Sequence, residues 1–411
     1  MSGKRNWTEA RMPAPENPQT SPGTVREEYI DSADKLRPLL EKLGRLPVWA
    51  FDTEFVGEET YIPKLCLVQV ATPDALYLVD PLSIDDITPF WKLVAEPGRR
   101  VVVHGGREEI RLCRQWSGLP PAGLFDVQVA AGLTGPVFPL GMGALAEQEL
   151  GVRLRKGETL TEWRSRPLSR DQITYAYDDV RYLLSLEEIL SKRLAETGRQ
   201  AWMEEETTRQ INSVDPVRIQ GDERWRKLKG AGSLDSRRLA VLRALHAWRE
   251  SRANELNRPV RVLMRDDLLV ELALRMPGKS ADLELMRGIA KRDIPALVEV
   301  IEPARSMPKD QWPEPAPRDL EAPQAQPLVS FLQLVMQHHC ARAGLAQPLA
   351  ATQAELKTLV RQHLAGETDP TEGLLSQGWR REHLLPLLRD ALAGRLALRV
   401  EDTRRDEPLG W

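Results

Sequence analysis

The sequence predicts an α/β domain with a mixed sheet, followed by all-helical segments, and three observations carry the prediction. Four apolar runs of strand length crowd into residues 47–104, and helical apolar spacing dominates afterwards. The chain is then interrupted at Asp215-Pro216 and again by a proline-rich run from Glu302 to Pro327. Strands first, then alternating helices and strands, is the order of an α/β sheet. At 411 residues the chain exceeds one ordinary core, and about 150 residues per domain suggests two or three.

Each element has its own signal. Residues 1–25 carry Pro13, Pro15, Pro18 and Pro22 with no periodicity and are expected to be a disordered leader. Order is expected to begin near Tyr29. Ser32-Ala33-Asp34 reads as the cap of an amphipathic helix with Leu36, Leu39, Leu40 and Leu43 on its apolar face, stopped by Gly44. Strands are expected at 47–55, 65–71, 75–80 and 99–104. The short Thr72-Pro73-Asp74 link is a hairpin-type turn, so the first three strands form an antiparallel meander. A helix over 107–116 turns Ile110, Leu112 and Cys113 inward. Ser169-Arg170-Asp171-Gln172 has the Ser-x-x-Gln spacing of a capping box and opens a helix from 170 to about 195. These signals divide the chain into an α/β domain over 26–214, a helical domain over 216–300, a linker over 301–327 and a second helical domain over 328–400.

Composition narrows the function classes. Hydrophobic residues are 42% and charged residues 28%, as in soluble globular proteins, and no apolar run approaches the roughly 18 residues of a membrane span. The N-terminus shows no apolar signal-peptide core, so the protein is expected to stay in the cytoplasm. Cys66, Cys113 and Cys340 lack metal-ligand spacing and read as free thiols; the only paired histidines are His338-His339, so zinc is not expected. Formal net charge is only −3, yet residues 216–300 hold 18 Lys and Arg against 12 Asp and Glu. A basic module beside an acidic one suggests that the first holds a polyanion and the second holds metal ions.

The acidic chemistry centres on Asp52 and Glu54. In a strand, residues two apart share a face, so both carboxylates emerge together while Phe51, Thr53 and Phe55 point the other way. Like charges on a core strand repel unless a cation sits between them, and oxygen donors suit Mg²⁺ or Mn²⁺. An edge-strand acid pair facing water is the alternative. Tyr175 and Asp179 lie four apart on one helix face, where the carboxylate can bind an ion and the phenol can orient water; a structural tyrosine beside a solvated acid is the alternative there. Asp126 reads as a helix cap and His104 as a hydrogen-bonding residue rather than a ligand. Trp163, Arg164 and Arg166 could stack on or ion-pair with terminal nucleotides, or simply pack. Arg224, Arg226, Lys227, Lys229, Arg237 and Arg238, with Trp225 interleaved, form a basic strip that can track phosphates, or an ordinary solvated face.

Five segments in order, Phe51-Asp52-Thr53-Glu54-Phe55, His104-Gly105-Gly106-Arg107-Glu108-Glu109, Phe125-Asp126-Val127-Gln128, Trp163 to Leu168 and Tyr175 to Val180, resemble ribonuclease D. The resemblance implies a ribonuclease H-like exonuclease domain with a mixed sheet, of the DEDD type with a tyrosine in the third motif. Two all-α HRDC-like domains are then expected to follow, the first beginning near Trp225. It also implies two-metal hydrolysis with 3′→5′ release of nucleoside monophosphates from RNA, tRNA precursors being the expected substrate. Position by position, Asp52 and Glu54 match the first motif and Tyr175 and Asp179 the third. In the second motif the family has Asp five residues after the histidine, where this chain has Glu109. Glu keeps the charge but moves the carboxylate outward by one methylene. Two other outcomes therefore stand beside an exoribonuclease: a 3′→5′ DNA exonuclease with the same metal chemistry, and a nucleic-acid-binding protein whose exonuclease site is impaired at Glu109.

Overall fold

The acid-bearing segment becomes an inner strand of a six-stranded sheet. The computed structural model describes residues 25–57, 59–154, 162–214, 223–315, 322–367, 373–405 and 408–411. The expected leader, apart from Val25, and the Asp215-Pro216 boundary lie outside these residues. The α/β part runs β1 (Arg26–Ile30), α1 (Ala33–Arg45), β2 (Val48–Val56), β3 (Lys64–Ala71), β4 (Ala75–Val79), α2 (Thr88–Ala95), β5 (Arg100–Val103), α3 (Arg107–Ser117), β6 (Leu124–Asp126), α4 (Val127–Thr134), α5 (Met142–Leu150), α6 (Arg170–Arg181), α7 (Leu183–Glu196) and α8 (Gln200–Ser213). Strand order is β1-β4-β3-β2-β5-β6. β2, β3 and β4 form the antiparallel meander, while β1, β5 and β6 join in parallel. The sheet is therefore mixed, as the sequence predicts.

Period-two alternation along β2 sorts its side chains between two layers. Trp49 and Phe51 meet Phe90, Trp91 and Ile110 on the side of α1, α2 and α3. Ala50 faces the opposite layer with Ala176, Val180 and Leu183 of α6 and α7. By the same alternation Asp52 shares the α6 face and Thr53 the α3 face. A register shift between Glu54 and Phe55 marks a bulge, a device that re-aims side chains beside active sites.

Three expectations are corrected. The helix expected over 170–195 breaks at Tyr182 (φ −106°, ψ −3°) into α6 and α7, because apolar spacing continues through a backbone that leaves the helix for one residue. β1 and β6 were not expected as strands: β1 is short and charged at its start, and β6 has three residues. The linker expected over 301–327 is partly helical, since Pro303 sits inside the helix ending at Arg305 and the next helix begins at Ala325.

The middle helices, α9 (Ser236–Glu255), α10 (Val260–Leu263), α11 (Asp266–Arg275), α12 (Ser280–Glu284) and α13 (Ile294–Arg305), close around Leu242, Leu245, Leu269, Leu272, Leu297 and Trp225 as a core of their own. They touch the α/β part where the Tyr61 hydroxyl donates to Glu250 Oε2 (2.8 Å) and the Ile62 amide donates to Asn257 Oδ1 (3.1 Å). Both contacts land on the loop leaving the acid-bearing strand.

The last helices, α14 (Ala325–Ala343), α15 (Gln347–Ala350), α16 (Gln353–Leu364), α17 (Gly378–His383) and α18 (Leu385–Leu392), behave differently: their apolar faces join the same core as α4, α7 and α8. Arg199 donates to the carbonyls of Leu133, Ala343 and Gly344, and the Trp202 and Trp379 rings stack at 4.4 Å. The approach is close at Gly132, where a Cβ would stand 2.6 Å from Leu349 Cδ1 and 2.9 Å from Phe138 Cδ2. Among the described residues no helix is long and apolar enough to cross a membrane.

Candidate active site

Four carboxylates converge from three elements. Asp52 and Glu54 come from β2, Asp179 from α6, and Glu109 from the first turn of α3. A glycine turn aims α3: Gly105 takes φ +68°, and a Cβ on Gly106 would meet Val103 Cγ2 at 2.4 Å. The Asp126 carboxylate pins this turn by accepting from the Gly105 and Gly106 amides (2.9 and 3.0 Å), and caps α4 by accepting from the Gln128 amide (2.9 Å). His104 Nε2 lies 2.8 Å from the Leu140 carbonyl oxygen and so serves the local backbone. α6 begins with the full capping box, Ser169 Oγ accepting from the Gln172 amide and Gln172 Oε1 from the Ser169 amide.

The second-motif glutamate reaches inward. Glu109 is 5% exposed, and its Oε1 accepts a 2.7 Å hydrogen bond from the Thr53 hydroxyl. Thr53, lying between the two β2 acids on the opposite face, thus ties α3 to the acid strand. Neither spacing nor charge singled it out; its signal in the sequence is only a hydroxyl in an otherwise apolar strand face.

Burial and mutual repulsion push these acids far above ordinary carboxylate behaviour. Asp52 is raised well above its usual range by burial, then by the charges of Glu109 and Asp179. Glu54 is pushed up to about 8 by burial, Asp52 and Glu109. Asp179 is pushed up to about 8, by burial and then Glu54, against the lowering effect of the Tyr175 hydroxyl. Glu109 rises to about 7 through burial, although the Thr53 hydrogen bond opposes the shift. Tyr175 is raised by burial and by Asp179, Glu54 and Asp52, so its hydroxyl stays protonated at neutral pH.

A divalent cation fits this donor set. All four groups offer hard oxygens, and Asp179 Oδ2 is buried without a hydrogen-bond partner among the described residues. In the same residues no three His, Cys, Asp or Glu side chains are already arranged to hold an ion.

The shifts set a pH dependence. Unfolded carboxyls titrate near pH 4, whereas the folded Glu54, Asp179 and Glu109 keep their protons to about 7 or 8. The folded state therefore binds more protons across that window, and stability falls as pH rises through it. The melting temperature in EDTA is expected to drop between about pH 5 and about pH 8, and Mn²⁺ should remove most of the drop. A flat profile in EDTA would contradict the clustering.

The expected nucleotide-contacting residues are placed unequally. Trp163 is 4% exposed, its ring tilted against that of Tyr175 at 6.1 Å, so it packs beside the tyrosine. Arg166 is likewise engaged within the protein: it grips Asp80 through two hydrogen bonds (2.6 and 2.7 Å) and donates to the Cys66 carbonyl, clamping the segment before α6 onto the sheet. The partner Asp80 lies 86 residues away, which local pattern cannot reveal. Arg164 pairs with Glu162 and Glu59. Asp178 faces Arg181. Arg224, Arg226, Lys227 and Lys229 are exposed around the buried Trp225; Arg226 lies 4.3 Å over the Trp225 ring and pairs with Glu223.

Comparisons with known proteins agree with this architecture. Residues 28–195 match the 3′–5′ exonuclease family, and residues 238–301 match the HRDC domain. A ribonuclease D from Desulfotalea psychrophila is 30% identical over 363 residues, 87% of this chain and 96% of the relative. One from Acidiphilium cryptum is 34% identical over 370 residues, 88% and 92% of the two chains. The crystal structure of Escherichia coli RNase D, described as an exoribonuclease involved in structured RNA processing, superposes with a TM-score of 0.77 at 28% identity, covering 89% of this chain and 98% of that one.

Proposed function

Since the chain belongs to the ribonuclease D family and is a 3′–5′ exoribonuclease, we propose that Asp52, Glu54, Glu109 and Asp179 hold two divalent cations, Mg²⁺ or Mn²⁺, at the site where RNA 3′ ends are hydrolysed. The observation that carries the metal reading is the buried carboxylate cluster with its partnerless Asp179 Oδ2. Bound cations supply Lewis acidity at the scissile phosphate. The protein's part is to order the reacting groups: Tyr175, protonated and packed on Trp163, orients the attacking water, and Thr53 holds Glu109 in register with β2. The products are nucleoside 5′-monophosphates, and precursors of tRNA and other structured RNA are the natural substrates, acted on in the cytoplasm.

The partition of labour follows the domain reading, with 26–214 cutting and the helical domain within 216–300 holding RNA through Arg224, Arg226, Lys227 and Lys229. Matched 5′-labelled RNA and DNA oligonucleotides with Mg²⁺ or Mn²⁺ test the whole reading. RNA should shorten stepwise from its 3′ end, and EDTA should stop it. Faster degradation of DNA, or binding without degradation, would favour the alternative assignments.

Two variants probe single roles. Tyr175→Phe keeps the ring against Trp163 and removes only the hydroxyl, so single-turnover cleavage should slow by about 10²-fold with Mn²⁺ affinity retained. An unchanged rate would assign Tyr175 to packing. Replacing Arg226, Lys227 and Lys229 together by alanine should weaken RNA binding and make log K less steep against log salt, by about 2 units if each touches a phosphate. Equal slopes for wild type and variant would remove the strip from the RNA path.

A further inference from the structure

The residue paired across the sheet from Asp52 is a glutamine. In the antiparallel register of β2 and β3, Asp52 stands opposite Gln69. Directly opposed residues share a face, with Cβ atoms about 4.5–5.5 Å apart. The neighbours of Gln69 identify that face: Leu67 and Ala71 lie in the apolar layer with Ala50, Ala176 and Val180, while Val68 and Val70 lie in the other. Gln69 therefore sits beneath α6, on the same side as Asp52.

Its side chain is fully buried, and among the described residues neither Nε2 nor Oε1 has a hydrogen-bond partner. Among the described residues no other side-chain amide is buried with both ends unpaired. Buried polar groups are nearly always satisfied, and an apolar side chain of the same shape would fill this space without leaving an amide unpaired. The amide is explained if its partner forms only when the site is loaded.

We propose that Gln69 is a positioning residue for Asp52, donating from Nε2 to the Asp52 carboxylate, directly or through one buried water, when that carboxylate holds a divalent cation. The inference rests on Asp52 being a metal ligand. Glutamine suits this role because an amide favours the carboxylate form without adding charge, whereas a lysine would compete with the cation and a glutamate would add to the repulsion. Groups that hydrogen-bond to a metal ligand fix its orientation, and losing one typically weakens metal binding by about 10- to 100-fold.

The test is Mn²⁺ titration of the full chain by calorimetry, together with metal-free melting temperature, for wild type, Gln69→Met and Asp52→Asn. Methionine is close to glutamine in shape and lacks the donor; Gln69→Leu is the second variant should the first fail to fold. Gln69→Met is expected to bind Mn²⁺ about 10- to 100-fold more weakly while melting, without metal, at or above the wild-type temperature. Wild-type Mn²⁺ affinity in Gln69→Met would overturn the proposal while leaving the metal site standing, provided Asp52→Asn loses binding. A lower metal-free melting temperature with unchanged affinity would also overturn it, by showing that the amide serves the fold. Absence of Mn²⁺ binding in the wild type would overturn both this role and the site reading beneath it.

Discussion

Asp52→Asn is expected to abolish nucleotide release while leaving the metal-free fold as stable as the wild type or more so. The two halves of that result have one cause. Asp52 is held against Glu109 and Asp179 in a buried site, so each ionised form in the empty protein is opposed by its neighbours. The amide keeps the shape and removes one member of the repulsion. The same exchange removes a proposed metal ligand, on which several kcal/mol of transition-state charge stabilisation would depend, so the rate should fall by about 10³-fold or more. Glu109→Gln should fail with it, even if the amide still accepts from the Thr53 hydroxyl. Activity close to wild type in Asp52→Asn, measured in single turnover, would remove the strand from the chemistry. Full activity in Glu109→Gln alone would show that the longer side chain has left the site.

The largest effect on stability is expected at the far side of the domain, from Arg380→Met. The Arg380 side chain is 4% exposed and that of Glu206 1%, and the two form a buried ion pair. Glu206 also accepts from Trp379 Nε1 (2.9 Å), and Arg380 donates to the Leu349 and Ala350 carbonyls. Burial works against ionisation of Glu206, but Arg380, Arg209 and Trp379 outweigh it and hold the carboxyl below its usual range. Removing the arginine leaves a buried acid whose remaining cationic partner among the described residues is the half-exposed Arg209, and two carbonyls lose a donor. A loss of about 3 kcal/mol follows, at the low end for a broken buried pair because Arg209 remains. The Trp202–Trp379 stack makes tryptophan fluorescence the natural probe of this seam. The sign of the pH effect is opposite to that of the acid cluster. A depressed acid contributes stability above its unfolded value near pH 4 and loses it as pH falls, so Arg380→Met should remove an acid-sensitive part of the unfolding curve. An unfolding transition within about 1 kcal/mol of wild type would mean the seam contributes little to the fold.

How much of this was legible follows from the range of each interaction. The β2 acids, the Thr72–Asp74 turn and the Ser169 capping box are written within a few residues, and period-two alternation or a three-residue spacing suffices to read them. Tyr175 and Asp179 share a helix face by the same kind of local rule. Trp163 and Arg166 illustrate the opposite case: an arginine before a helix looks available for phosphate until Asp80, 86 residues earlier, is folded against it. Thr53 was hidden for a related reason, since its partner Glu109 lies 56 residues on. The docking of α14 to α18 onto α4 and α8 has no local signature at all. Both surfaces read as ordinary amphipathic helices, and only the fold pairs Trp202 with Trp379 and Glu206 with Arg380. The break at Tyr182 escaped because apolar spacing runs unbroken from Ala176 to Leu190.

Whether the carboxylates of β2, α3 and α6 form one divalent-cation site is decided by anomalous scattering from Mn²⁺ in crystals of the full chain with a bound nucleoside monophosphate. Peaks should lie among Asp52, Glu54 and Asp179 and beside Glu109, with Asp179 Oδ2 no longer partnerless and the Tyr175 hydroxyl facing the phosphate. Density elsewhere, or none at these four residues at saturating Mn²⁺, would mean that the four acids do not share a metal.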